Sequence, residues 1–300
     1  MVVNLVAPKP AFPLAPLATP SAPDLERGDG AAEVGFARSG DTTRLSHLYQ
    51  RAPCRVLTPL SEAGDPPQAV LLTTSGGLTD GDRIVLSLTV EPNASATITT
   101  QAAEKVYRAR GLTPARLRAQ LRVAEGAWLE WLPQETILFE GARFDRRTVA
   151  EVAPGGRLLA CEMVVFGRRA SGERFTRGLL HDGWEIRRGN RLTWRDALRL
   201  DGSILEKIDA PAGFGGAEAI ASALYVAEDG AEHLSLARDL IGEPGQGTDL
   251  RAGVTLVNGV LLARWLGEAV AVRAALTEYL AQFRAGVAGF PARLPRVWQS

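Results

Sequence analysis

Between residues 32 and 215 polar and apolar positions tend to alternate with a period of two. Ile84, Leu86, Leu88 and Val90 take one side of a run whose other side is Val85, Ser87 and Thr89. The clearest case places Leu117, Ala119, Leu121 and Val123 opposite Arg116, Arg118, Gln120 and Arg122, which predicts a half-buried strand, apolar on one face and charged on the other. Turn signals follow at Glu91-Pro92-Asn93, Glu125-Gly126, Glu140-Gly141 and Pro154-Gly155-Gly156. Strands separated by such turns at intervals of roughly a dozen residues predict a mainly β fold, whether sandwich, barrel or stacked helical sheets. A further strand is expected from Leu192 to Leu200.

The pattern changes after residue 216. Ala219 to Val226 reads as a strand, and Asp229 to Ile241 as a short helix with acids near its start and Arg238 near its end. Gly253 to Leu266 reads as a hairpin around Asn258-Gly259, because both central turn positions need positive φ. Glu268 to Arg284 is the strongest helix pattern. Val272, Leu276, Tyr279, Leu280 and Phe283 recur on one face at three- and four-residue spacing. The last residues, GFPARLPRVWQS, are expected to dock back on the protein's own core. Residues 1–31 carry prolines at 8, 10, 13, 16, 20 and 23 and read as a disordered Pro/Ala-rich tail. The expected organisation is this tail and a domain over 32–300, comprising a β-rich body (32–215) and a small α+β portion (216–300) with about two helices.

Composition narrows the function. Lys plus Arg and Asp plus Glu number 34 each, and a zero net charge argues against broad capture of nucleic acid or anionic membrane. No run approaches the roughly 18 apolar residues of a membrane span. The beginning lacks the basic start and unbroken apolar run of a signal peptide. Cys54 and Cys161 form no CxxC pair, and His47, His181 and His233 are well separated. Neither a disulfide framework nor a stable transition-metal cage is indicated, and a reducing cytoplasm is the simplest setting.

Chemistry is sparse along the chain. Walker, GxGxxG, HExxH and GxSxG motifs are all missing. The glycine-rich loop around Gly76-Gly77 and Gly81-Asp82 lacks the Lys-Ser/Thr ending of a phosphate loop and runs into a strand, so it is read equally as a tight turn. Acids set in apolar strands are the notable feature. Glu130 and Glu135 sit in the tryptophan-rich stretch 128–141, where Pro133 ends or bulges a strand. Glu162 interrupts Cys161-Met163-Val164-Val165-Phe166, Glu173 follows it, Glu104 lies beside Lys105, and Asp196 is isolated in a later strand. A buried acid costs several kcal/mol unless it is paired or binds a cation, so an ion-pair network, with Arg168 as a partner, competes with a functional role.

Five stretches, GGLTDGDR (76–83), TTQAAEKVYRARG (99–111), GAWLEWLPQETILFEGA (126–142), LLACEMVVFGRRASGERF (158–175) and LPRVWQS (294–300), resemble in this order the UreD (UreH) family of urease accessory proteins. The resemblance runs from about residue 32 to the end and is most specific in LEWLPQE. It implies a twisted β-helical stack with a small helical part and no catalytic activity. It also implies a cytoplasmic scaffold that binds apo-urease and UreF, and UreG through UreF, within a dimeric hetero-oligomer. Nickel(II) would pass through an internal tunnel without being stably bound. On that basis Asp82, Glu162 and Asp196 are expected to line the tunnel, with Glu104, Glu130, Glu135 and Glu173 as secondary candidates. Lys105, Tyr107, Arg108 and Arg168 would balance charge or hold strands. Two departures from the family pattern are Asp80, an added charge at the expected entrance, and Cys161 at a position where an aromatic is common. A thiol there is expected to fill space. Two other readings remain open: a β-helical carbohydrate-active enzyme using paired carboxylates, and an interaction platform that never touches nickel.

Overall fold

The computed structural model describes residues 27–189, 191–242 and 249–299. Strands β1 (Asp29–Ser39), β2 (Thr42–Arg51), β3 (Cys54–Leu57), β4 (Gln68–Thr73), β5 (Arg83–Val90), β6 (Ser95–Thr100) and β7 (Glu104–Val106) come first. They are followed by β8 (Ala115–Val123), β9 (Trp128–Leu132), β10 (Thr136–Leu138), β11 (Arg143–Val152), β12 (Arg157–Phe166), β13 (Leu179–Arg188) and β14 (Arg191–Leu200). Helix α1 (Ile204–Asp209), β15 (Ala219–Val226), α2 (Leu234–Ile241), β16 (Arg251–Val257), β17 (Val260–Gly267) and α3 (Ala269–Ala288) complete the order.

The chain winds between two sheets. One has the order β14-β13-β11-β8-β5-β1-β2, with parallel pairing from β1 through β13. The other runs β16-β17-β15-β12-β9-β6-β4-β3, parallel from β4 to β12. A third, short parallel ladder closes one corner, stepping from Leu78 to β7, β10 and the end of β12. This is the β-helical stack expected from the sequence, and the alternation explains it. Ile84, Leu86, Leu88 and Val90 face inwards beside Leu117, Ala119, Leu121 and Val123, all buried except the partly buried Leu117.

The parallel register also sets where polar residues meet. Inside the first sheet one row reads Ile84, Leu117, Arg146, Asp182, Leu198, and the next reads Leu86, Ala119, Thr148, Trp184, Asp196. Inside the second sheet Glu162, Ser222 and Arg264 share a row.

The second sheet is buried on both faces. Its outer face carries a second core, where Trp128, Leu132, Leu159, Tyr225 and Trp265 meet Val272, Leu276, Leu280 and Phe283 of α3. The C-terminal segment docks there too, with Leu294 and Trp298 buried and the Trp298 Nε1–H donated to Thr99 Oγ1 at 3.1 Å.

Several boundaries differ from expectation. β1 begins at Asp29, so Asp29–Ala31 belong to the domain, while residues 1–26 lie outside the described residues. α1 precedes the expected change at 216. α2 starts at Leu234 rather than Asp229, because the Asp229 carboxylate accepts the Tyr225 hydroxyl at 2.7 Å and Gly230 fits against the carbonyl of Gly259 at the hairpin tip. α3 runs on to Ala288 and stops at Gly289, whose φ of 69° is left-handed.

Candidate functional site

A cavity of about 350 Å³ lies inside the stack, between the two sheets and the short third ladder. Ile84, Leu86, Leu117, Ala119, Arg146, Thr148 and Trp184 line it from the first sheet; Leu71, Trp131 and Glu162 line it from the second. Glu104, Lys105 and Thr136 come from the corner ladder, and Cys54 from β3. Gly76, Gln101, Ala102 and Lys105 are lining residues that are also exposed, so the mouth lies between the loops around residues 76 and 101–105.

Glu162 is the centre of the inner wall. Its Oε2 accepts from Arg146 at 3.2 Å and from the Trp184 indole N–H. Arg146 is nearly fully buried, donates to Asp182 Oδ1 at 2.8 Å and to Thr136 Oγ1 at 3.1 Å, and so ties both sheets to the corner. Burial pushes the Glu162 carboxyl up to about 7, helped by Asp182 and Asp196 and opposed by Arg146 and Trp184. One guanidinium thus faces two interior acids, which leaves Glu162 only partly compensated.

Glu104 shares a ladder row with Thr136 and Val164, so it stands two strand steps across from β12 and two residues along from Glu162, on the order of 10 Å at normal strand spacing. Burial raises its carboxyl to about 7, the Thr73 hydroxyl pulls it down, and Asp82 pushes it up. Cys54 shares this part of the cavity, and burial, reinforced by Glu104, lifts its thiol to about 11.

Asp82 itself is buried and clasps a loop, accepting Gly28 N–H at 2.8 Å and Thr79 N–H at 2.7 Å. Asp80 beside it accepts from Arg27 at 3.1 Å and from the Arg110 N–H at 3.1 Å. Burial works against its charged form, but these bonds outweigh burial and hold it below the usual carboxylate range.

Asp196 pairs with Arg264 across the two sheets, both side chains 43% exposed. It flanks Trp184 in register and lies beyond the Glu162 end of the cavity. Among the described residues the buried Arg264 Nε meets no acceptor, an arrangement that typically costs about 1–3 kcal/mol.

The other sequence candidates sit elsewhere. Glu130 faces outwards, fully buried, accepting Arg284 Nε at 2.8 Å and the Thr97 hydroxyl at 2.5 Å. Glu135 pairs with Arg273 of α3. Glu173 pairs with Arg168, whose guanidinium lies 4.0 Å over the Phe139 ring. Tyr107 donates to the Gly76 carbonyl at 2.7 Å and packs edge-on against Phe139, and Arg108 donates to the Glu140 carbonyl at 3.3 Å. Cys161 lies in the outer core, where its thiol is pushed up by burial. Of the candidates, the structure brings Glu104, Glu162 and Lys105 to one cavity. Among the described residues, no group of three or more His, Cys, Asp or Glu side chains is placed to hold a metal ion together, and no helix is long and apolar enough to cross a membrane.

A family model described as UreD urease accessory protein matches residues 28–299. The chain belongs to the UreD family. Relatives agree along nearly the whole length: it is similar to urease accessory protein UreD of Magnetococcus marinus, 40% identical over 90% of this chain and 93% of that one. It is likewise similar to UreD 1 of Methylobacterium radiotolerans, 42% identical over 96% of this chain and 99% of the relative. UreD of Brucella suis is 38% identical over 91% and 95%. These relatives carry the name of accessory proteins, not of enzymes.

Within this UreD fold the sequence reading overlooked Arg146, Asp182, Trp184, Ser222 and Cys54. A signal was present for two of them. Arg146 stands at an inward position of Phe144, Thr148, Ala150 and Val152, and Asp182 at an inward position of Leu180, Trp184 and Ile186. A charge on the apolar side of an alternating strand is the mark of an interior ion pair.

Proposed function

We propose that this chain acts in urease maturation as a non-catalytic scaffold whose interior cavity conducts nickel(II) towards apo-urease. Membership in the UreD urease accessory family supports the maturation role. The observation that carries the nickel reading is the pair of carboxylates, Glu104 and Glu162, in the wall of one cavity whose lining is otherwise mostly apolar. Nickel(II) accepts oxygen donors, and a conducting path must bind weakly enough to let go. Two separated acids with hydroxyls at Thr73, Thr136 and Thr148 meet that need better than a closed cage. In this reading the chain works in the cytoplasm within a dimeric hetero-oligomer, bound to apo-urease and UreF, with UreG joined through UreF.

The test is urease activation. Co-production with cognate apo-urease, UreF, UreG and a nickel source should give ammonia release only when this chain is included. Glu104→Gln with Glu162→Gln should reduce activation at least tenfold while the chain still co-purifies with its partners. Full activation by that double variant overturns the nickel path, and equal activity without the chain overturns the accessory role. The Arg146 contact favours a second reading, an interaction platform whose acids serve only as ion pairs. Nickel titration of the purified protein and of the same double variant separates the two.

A further inference from the structure

The cavity wall ends at Glu162 and Trp184, but the polar row does not. Glu162, Ser222 and Arg264 occupy successive inward positions on β12, β15 and β17. Opposite them, Asp196 follows Trp184 on the edge strand β14. Ser222 is buried, whereas Asp196 and Arg264 are each 43% exposed, so the row reaches solvent at this ion pair. The pair spans the two sheets, joining β14 to β17. Arg264 is held there at a cost, since among the described residues its buried Nε meets no acceptor. A side chain with an orphaned buried donor gains solvation when it swings out.

We propose that the Asp196–Arg264 ion pair is a gate closing a second mouth of the cavity, at the end away from Lys105. In the closed state the guanidinium occupies Asp196 and covers Ser222. A divalent cation moving past Glu162 competes with the guanidinium for the Asp196 carboxylate, and release of Arg264 to solvent opens the row from Glu162 to the surface. The use of the gate rests on the nickel reading above; its existence does not, and its test contains no nickel.

Ser222→Cys places a thiol directly behind the pair, and Thr148→Cys places one in the cavity wall as a reference. Each is exposed to aminoethyl methanethiosulfonate, a small cationic thiol reagent, and modification is timed by peptide-resolved mass spectrometry, which separates the buried native Cys54 and Cys161. Adding Arg264→Ala should speed modification at position 222 at least tenfold and leave position 148 within about twofold. Arg264→Lys should restore slow modification. Asp196→Asn, which frees the guanidinium without removing its side chain, should act like Arg264→Ala and guards against a variant that fails to fold. An unchanged rate at 222 in both Arg264→Ala and Asp196→Asn overturns the gate. Equal acceleration at 222 and 148 also overturns it, because the stack has then loosened as a whole.

Discussion

Glu130 and Glu162 look alike in the sequence, each an acid inside an apolar strand, yet they have opposite fates. Glu130 faces outwards from the second sheet into the core beneath α3. There Arg284, itself 1% exposed, holds it with two bonds and also donates to Asp65 and to the carbonyls of Pro291 and Arg293, each at 2.8 Å. Every group is satisfied, and the hub fastens the C-terminal segment to the stack. Glu162 faces the other way, into a cavity, and shares one guanidinium with Asp182. A buried acid with complete partners is a lock; one with incomplete partners beside open space can exchange a partner for a cation. The difference between the two lies in the side of the strand and the completeness of the bonding, not in residue type.

The largest effect should come from breaking the lock. Arg284→Ala leaves Glu130 buried without its cation and Asp65 with Arg293 alone, and chemical denaturation should show a loss of about 3–5 kcal/mol. Glu104→Gln should act in the opposite direction. Its carboxyl rises from 4.5 to about 7 on folding, so its contribution to stability is intact below pH 4.5 and lost as pH rises through 7. At pH 8 the Gln variant should therefore be more stable than the parent, by up to about 3 kcal/mol, and the gain should vanish near pH 4.5. Melting curves at the two pH values check it, and a gain that is independent of pH contradicts the assigned cause. Glu162→Gln should act in the same direction and over the same pH range, since its carboxyl also rises from 4.5 to about 7 on folding, but by less than Glu104→Gln because it weakens the bond to Arg146. Arg168→Ala should be the mildest. Its pair with Glu173 is half-exposed, and such pairs contribute less than about 1 kcal/mol.

The sequence reads well where the two sides of a strand differ. β8 alternates charge with apolar residues and was legible at once, as were the hairpin at Asn258-Gly259, with φ of 51° and 80°, and the apolar face of α3. It reads poorly where both sides are buried. β9 is buried at all five positions, so its pattern does not say which face lines the interior and which meets α3. The direction in which Glu130 faces is therefore not legible from β9, although the sequence reading places Glu162 first and Glu130 among the secondary candidates. The corner strands β7 and β10 are three residues each, too short for periodicity to mark, yet they bring Glu104 and Thr136 to the cavity. Asp82 seemed a natural lining residue from its glycine-rich loop, and the fold instead gives its oxygens to backbone N–H groups. The hydrogen-bond demand of a tight turn cannot be read from residue type alone.

In the proposed function the inward acids, and not the outward one, meet nickel. Anomalous diffraction at the nickel absorption edge from nickel-soaked crystals tests it most directly. Anomalous peaks are expected inside the stack within coordination distance of Glu104 and Glu162, with none at Glu130, and should be lost in the Glu104→Gln, Glu162→Gln double variant. An interior without nickel density, or density unchanged in the double variant, would contradict it.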